Sequence, residues 1–287
     1  MKTTDIVNRR HFLRTGVLGS AVIAAASFPT PAFSALTKAN RDPFHGLKLG
    51  IASYSLRKFP LDQAIAMTKQ AGVRYITLKD FHLAMNSTRE ERLETRRKVE
   101  AAGLVLMGGG VIYVKTEAEV RDAFAYAKDA GMPTMVACPD PGVLDLVENL
   151  AKQYDIRIAI HNHGPNDKRY PSALDALRLI KDRDAHMGLC IDVGHTVRLG
   201  EDPIAIIQQC ASRLYDFHIK DVTEATEKGG ATEVGKGVID IVAVLRTLIG
   251  IKYPYHVALE YETHADAPLP GLIESFAYMR GILAAID

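Results

Sequence analysis

RIAIHNHGP, residues 157–165, is the stretch on which the reading of this chain turns. Ile158 and Ile160 alternate with Ala159 and His161, and the run breaks at His163-Gly164-Pro165. Successive side chains of a strand point to opposite faces. His161 and His163 therefore share one side, and the two isoleucines share the other. Two more runs repeat the pattern. In 187–194 (MGLCIDVG), Leu189, Ile191 and Val193 oppose Cys190, Asp192 and Gly194. In 255–261 (YHVALEY), Val257, Leu259 and Tyr261 oppose His256, Ala258 and Glu260.

Working outward, short apolar runs recur at 47–55, 74–79, 104–112, 134–138, 157–163, 187–194, 214–220 and 255–261. Stretches of helical periodicity lie between them, such as LDQAIAMTKQA (61–71), EERLETRRKVEAA (90–102) and AEVRDAFAYAKDA (118–130). Gly72, Gly103 and Gly131 stand where helix C-termini favour a left-handed residue. Eight strand–helix units in about 240 residues predict a (β/α)8 TIM barrel over residues 45–287. The alternative, an open doubly wound sheet, calls for a glycine-rich phosphate loop after the first strand, and SYSLRKFP (53–60) is not one.

In a barrel the bulky apolar side must face the helices. At 214–220 this sends Tyr215, Phe217 and Ile219 outward and turns Asp216, His218 and Lys220 inward. His161, His163, Asp192, His218, Lys220 and Glu260 then converge near the C-terminal strand ends, where barrel active sites form. Carboxylates cannot be buried there unless they are paired or bind a metal. Two carboxylates and two imidazoles suit one divalent ion. Mixed N and O donors favour Mn²⁺, Zn²⁺, Co²⁺ or Fe²⁺ over Mg²⁺ or Ca²⁺, and Mn²⁺ is the expected one. The competing reading is a network of buried ion pairs.

The 287-residue chain is 47% hydrophobic and 24% charged with a net charge of +1, which gives no bulk electrostatic case for nucleic acid or an anionic membrane. Residues 1–34 carry Arg9-Arg10, then an apolar stretch from about Val17 to Phe28, then Ala32-Phe33-Ser34. This reads as a twin-arginine signal cleaved after Ser34, followed by a lead-in at 35–44, and it predicts a periplasmic or other extracytoplasmic location. The stretch is short for a membrane span, so none is expected after cleavage. From residue 35 on, 31 basic and 33 acidic residues remain, a net charge of −2. Cys138, Cys190 and Cys210 lack zinc-ligand spacing and are expected to be buried and unpaired. A homo-oligomer stays open.

IAIHNHGP (158–165), GLCIDVGHT (188–196), DFHIKDV (216–222), EVGKGVID (233–240) and VALEYE (257–262) together resemble the xylose isomerase-like barrel superfamily, the sugar phosphate isomerase/epimerase group, across residues 45–287. With LKDFH (78–82) and the leader, the chain is most similar to a secreted subgroup. The resemblance implies a metal held by His161, Asp192, His218 and Glu260, with His163 and His195 facing substrate or the outer ligand shell. It also implies proton removal beside a carbonyl of a small carbohydrate. Many members carry glutamate on the fifth strand and use it with the eighth-strand glutamate as a two-base shuttle. This chain has His161 there.

The vacant proton-transfer role has candidates in Lys79, Lys220, Glu260 and His163. For Lys220 the alternative is an ion pair with Asp192 or Glu260. His82, His195, Lys168, Arg169, Glu233 and Lys236 are candidate substrate contacts, the last two from a polar loop (222–236) read as a lid. Gly108 to Gly110 are read as room for a ligand. The expected function is a metal-dependent sugar or keto-sugar isomerase/epimerase. The rival is a 3-keto-glycoside lyase or hydratase that removes the C2 proton and expels the C1 substituent. A non-catalytic sugar-binding protein is a third reading. An endonuclease-IV-like repair enzyme fits less well, because its three-zinc cluster needs more ligands and the charge does not suit DNA.

Overall fold

The computed structural model describes residues 42–286; residues 1–34, expected to be a twin-arginine signal, and most of the lead-in lie outside them. Eight strands follow in chain order. They are β1 (Lys48–Ala52), β2 (Tyr75–Leu78), β3 (Val105–Val114), β4 (Thr134–Pro139), β5 (Arg157–His161), β6 (Met187–Asp192), β7 (Leu214–Ile219) and β8 (His256–Leu259). Each pairs in parallel with its sequence neighbours, and β8 pairs with β1 to close the barrel. Nine helices among the described residues cover the outside. They are α1 (Leu61–Gln70), α2 (Arg89–Ala101), α3 (Glu117–Ala130), α4 (Leu144–Tyr154), α5 (Ala173–Ile180), α6 (Val193–Arg198), α7 (Pro203–Cys210), α8 (Ile241–Gly250) and α9 (Leu269–Ala284). None is long and apolar enough to cross a membrane.

The alternation has the expected consequence. Ile158, Ile160, Leu189, Ile191, Phe217, Ile219, Val257 and Leu259 join one buried core under the helices. Burial contributes roughly 1.5–3 kcal/mol for each such side chain. Helix starts are written locally: capping boxes pair Thr88 with Glu91, Thr116 with Glu119 and Ser172 with Asp175. Gly72, Gly103 and Gly131 all take positive φ. The three cysteines are buried and unpaired.

One expectation fails through backbone register. The β6–β7 pairing slips by one residue between Leu189 and Cys190, so Tyr215 does not face the helices beside Phe217. Its ring crosses Gly188, where an added Cβ would come within 2.2 Å of it, and packs inside the barrel with Val136, Ala159 and Cys190. A bulge supplies the extra residue that alternation cannot see. The glycines of β3 answer to strand packing, although Gly110 also borders a cavity of about 400 Å³. Cβ atoms at Gly108 and Gly110 would run into the Thr134 and Val136 carbonyl oxygens of β4, so these glycines permit close strand contact.

The 222–236 loop is pinned at its base. Asp221–Val222 and Ala231–Thr232 form a small antiparallel pair. Buried Asp221 accepts four backbone N–H groups. Oδ1 takes those of Val222 (2.9 Å) and Ile239 (3.1 Å), and Oδ2 takes those of Gly235 and Gly237 (2.9 Å each). Asp221→Ala orphans all four donors and is expected to destabilise the protein by at least about 3 kcal/mol. Thermal unfolding with amide exchange checks this. Normal stability and protected amides at 235–239 would show the loop to be held by other contacts.

Candidate active site

Four side chains meet at the C-terminal end of the barrel. β5 ends on His161, β6 ends on Asp192, β7 presents His218, and Glu260 follows β8. Asp192 and His218 are level in the sheet, which places them side by side. His161 Nε2 lies 3.1 Å from His218 Nδ1 and 3.6 Å from Asp192 Oδ2. His218 Nδ1 lies 3.9 Å from Asp192 Oδ2 and 3.4 Å from Glu260 Oε2. One donor atom from each of the four falls within 4.8 Å of all the others.

Local sequence explains the aim of Asp192. It caps α6, and its Oδ1 accepts the His195 N–H at 2.8 Å, which leaves Oδ2 facing the cluster. Asn162, fully buried, accepts the Asp192 N–H at 2.8 Å and fixes the strand end from β5. Lys220 closes the arrangement. Its Nζ is 2.8 Å from Glu260 Oε2, 2.9 Å from Asp192 Oδ2 and 3.3 Å from Glu262 Oε1, so the ion-pair alternative for Lys220 holds in this structure.

The donor set fits a divalent cation. Asp192 Oδ2 is buried and makes no well-angled hydrogen bond even with the ammonium beside it. Burial pushes His161 down to about 4, which keeps its imidazole neutral. Burial opposes the His218 imidazolium too, but Cys190 and Glu260 beside it outweigh this and hold it well above its usual range, so a cation would have to displace that proton. Burial opposes the charged forms of Asp192 and Glu260 as well. His195 and Lys220 beside Asp192, and Lys220 and His218 beside Glu260, outweigh it and hold both carboxyls well below their usual range. Burial also opposes the Lys220 ammonium, but Asp192, Glu260 and Glu262 hold it firmly protonated.

Two further histidines join the rim. The His163 ring lies 4.5 Å from that of His161, and the His195 ring lies 6.0 Å from both. Burial lowers each to about 4, leaving both neutral. Tyr113, half exposed, meets His163 Nε2 through its hydroxyl at 2.8 Å and stands between two cavities. One, about 400 Å³, is lined by Lys79, Asp80 and Asn86; the other, about 540 Å³, by Lys115, Cys138, Asp167, Lys168 and Arg169.

The remaining candidates are spread more widely. Lys79 Nζ donates to the Val111 carbonyl at 2.8 Å and borders the first cavity. His82 is buried with both ring nitrogens engaged, by Ser53 Oγ (2.9 Å) and the Phe59 carbonyl (3.0 Å), so it braces the loop rather than the mouth. Lys168 is exposed beside the second cavity. Arg169 is occupied by the Cys138 carbonyl (3.0 Å) and Asp140 (3.2 Å). Glu233 accepts the Tyr261 hydroxyl at 2.6 Å, and Lys236 pairs with Glu274 at 2.8 Å. Tyr261 packs outward under α9, so neither loop residue is brought to the cluster.

Tyr113, Glu262 and Asn162 escaped the sequence reading. Glu262 stands two residues past Glu260, and the strand period alone would have placed it on the same side. Tyr113 lies beyond a register shift between Gly109 and Ile112, which hides its direction.

A closed eight-stranded parallel barrel with a buried imidazole–carboxylate ring at its C-terminal mouth defines a class of proteins. Residues 65–282 match the model of the xylose isomerase-like TIM barrel family, and this chain belongs to it. It is 27% identical over 150 residues to the inosose dehydratase of Clostridium beijerinckii, a match covering 47% of this chain and 48% of that protein. The chain thus spans about half the length of the curated relatives it matches. A solved structure of an uncharacterized protein from Parabacteroides distasonis is 26% identical with a TM-score of 0.66, covering 81% of this chain and 98% of that one. D-psicose 3-epimerase, solved in the presence of D-fructose, shares the fold with a TM-score of 0.67 at 15% identity, covering 83% of this chain and 100% of that one.

Proposed function

We propose that this protein is a divalent-metal-dependent carbon–oxygen lyase acting on a keto-sugar or keto-polyol. The C–H bond beside the carbonyl breaks, the C–O bond on the next carbon breaks, and a C=C bond forms between the two carbons. The departing oxygen leaves with a proton as water or an alcohol. The observation that carries this reading is the convergence of His161, Asp192, His218 and Glu260, with one donor atom of each within 4.8 Å of the others. A divalent ion held by those four, with Mn²⁺ the first candidate, would polarise the substrate carbonyl and so acidify the neighbouring C–H.

The chain's own groups supply the proton handling. Lys220 is 3% exposed and lies at the centre of three carboxylates; Glu262, one-third exposed, links its ammonium to the mouth. Epimerisation needs proton transfer on two faces of one carbon. With His161 in place of a fifth-strand glutamate, that symmetrical pair of carboxylates is missing. Elimination needs a base at one carbon and an acid at the leaving oxygen, which an unlike pair can provide. The half-length likeness to inosose dehydratases supports the same choice.

Isomerisation or epimerisation is the second reading. It is favoured by the Lys220–Glu262 contact, which offers a second acid–base pair at the same cluster. The signal expected at residues 1–34 would place this work outside the cytoplasm.

Incubation with Mn²⁺ in D₂O separates the two. An inosose or a 3-keto-glycoside is expected to lose water or aglycone and gain the ultraviolet absorbance of a conjugated enone, while D-psicose and D-fructose stay unchanged. Interconversion of the two ketohexoses with deuterium at the epimerised carbon selects the second reading. Absence of both reactions across a broad panel sinks the enzymatic proposal.

A further inference from the structure

Beside the four-residue ring lies a second set of donors that shares no residue with it. We propose that Cys138, His163 and Asp167 form a distinct binding site for a borderline-soft divalent ion, Zn²⁺ or Co²⁺, at the wall of the 540 Å³ cavity. One donor atom from each of the three residues lies within 4.8 Å of the others. The set combines thiolate, imidazole and carboxylate, which selects such ions over Mg²⁺ or Ca²⁺.

Each donor is aimed by its neighbours. Asp167 Oδ1 is saturated by the backbone N–H groups of Arg169 (2.6 Å) and Tyr170 (2.8 Å). That turns Oδ2 toward His163 Nδ1, 3.5 Å away. The separation is too long for a hydrogen bond, and Nδ1 is buried without a partner. On the other edge of the ring, Nε2 is held by the Tyr113 hydroxyl at 2.8 Å. A proton on Nε2 donated to Tyr113 leaves the Nδ1 lone pair free, the usual way an outer partner sets a metal-binding tautomer. Cys138, next to last in β4, is buried. Burial raises its thiol, the Arg169 guanidinium 3.8 Å from Sγ works against that, and a bound cation would supply the remaining push toward thiolate. Three protein donors leave a tetrahedral ion one open position. Lys115 and Lys168 on the cavity wall suit an oxygen-rich or anionic ligand there.

The test is a Co²⁺ titration of chelator-stripped full-length protein, read by absorbance and by bound metal. Two equivalents are expected, one of them bringing a sulfur-to-cobalt charge-transfer band in the near ultraviolet. Cys138→Ala should abolish the band and one equivalent, and Asp167→Asn should weaken the same equivalent at least tenfold. Glu260→Gln should remove only the equivalent without the band. Cys190 lies near His161 and His218, so Cys190→Ala is the control and must keep the band. No band, a band that survives in Cys138→Ala, or one lost in Cys190→Ala instead overturns the site. A single equivalent whose band depends on Cys138 supports this site and overturns the metal-dependent reading of the first. If Cys138→Ala does not fold, Asp167→Asn decides, and unaltered band affinity there overturns the site.

Discussion

Asp192→Asn is expected to lose the metal proposed for the barrel mouth and to lower kcat by about 10³-fold. The variant keeps its shape where it matters for interpretation. The asparagine Oδ1 can still accept the His195 N–H, so the start of α6 is preserved. The amide nitrogen takes the place of Oδ2, where it meets the Lys220 ammonium at 2.9 Å and His161 Nε2 at 3.6 Å. A donor then faces the Lys220 ammonium, and that charge keeps only Glu260 and Glu262 as partners. Breaking a buried pair on one side costs about 3–5 kcal/mol, because the other charge stays behind. In a barrel of this size that lowers Tm by roughly 10 °C. Added Mn²⁺ should restore neither activity nor Tm. Full metal content in Asp192→Asn, measured by elemental analysis, would remove Asp192 from the ligand set and with it the functional proposal.

Lys220→Met should behave in the opposite sense toward metal. The substitution removes the only ammonium among Asp192, Glu260 and Glu262, so the ion-free protein again loses about 3–5 kcal/mol. Here the groups left behind are carboxylates, and a divalent ion can compensate them. Mn²⁺ should therefore raise the Tm of the variant by more than it raises that of the wild type. Activity should stay about 10²–10⁴-fold low even with metal saturating, since proton transfer is lost while carbonyl polarisation is kept. A variant with unchanged kcat at saturating Mn²⁺ would reduce Lys220 to a charge partner and return the proton-transfer role to Lys79, Glu260 or His163.

The two variants separate roles that the sequence shows only as neighbours. Alternation in 157–163, 187–194 and 255–261 turned His161, Asp192 and Glu260 to one side, because a strand's facing depends on its own period. The same logic correctly kept His163 beside His161, although β5 ends two residues before it; the Tyr113 hydroxyl holds the ring there. It failed at Tyr215, where a bulge inserts one residue between partners. It ran the β6 strand to Gly194, whereas Asp192 already caps a helix. Those boundaries depend on pairing with another strand, which no local pattern contains.

By itself the sequence determined the eightfold strand–helix repeat and the ring of polar residues at one end of it, since both follow from hydrophobic periods written along a single segment. Only the tertiary structure decided which of those polar groups are already spent. Lys220 is claimed by residues on β6 and after β8, His82 by the turn after β1, Glu233 by Tyr261, and Arg169 by the end of β4. Each of these partners lies at least 28 residues away along the chain, brought close by barrel closure. The free energy of a buried charge depends on such partners far more than on its flanking residues, and so chemistry stays hidden where facing is plain.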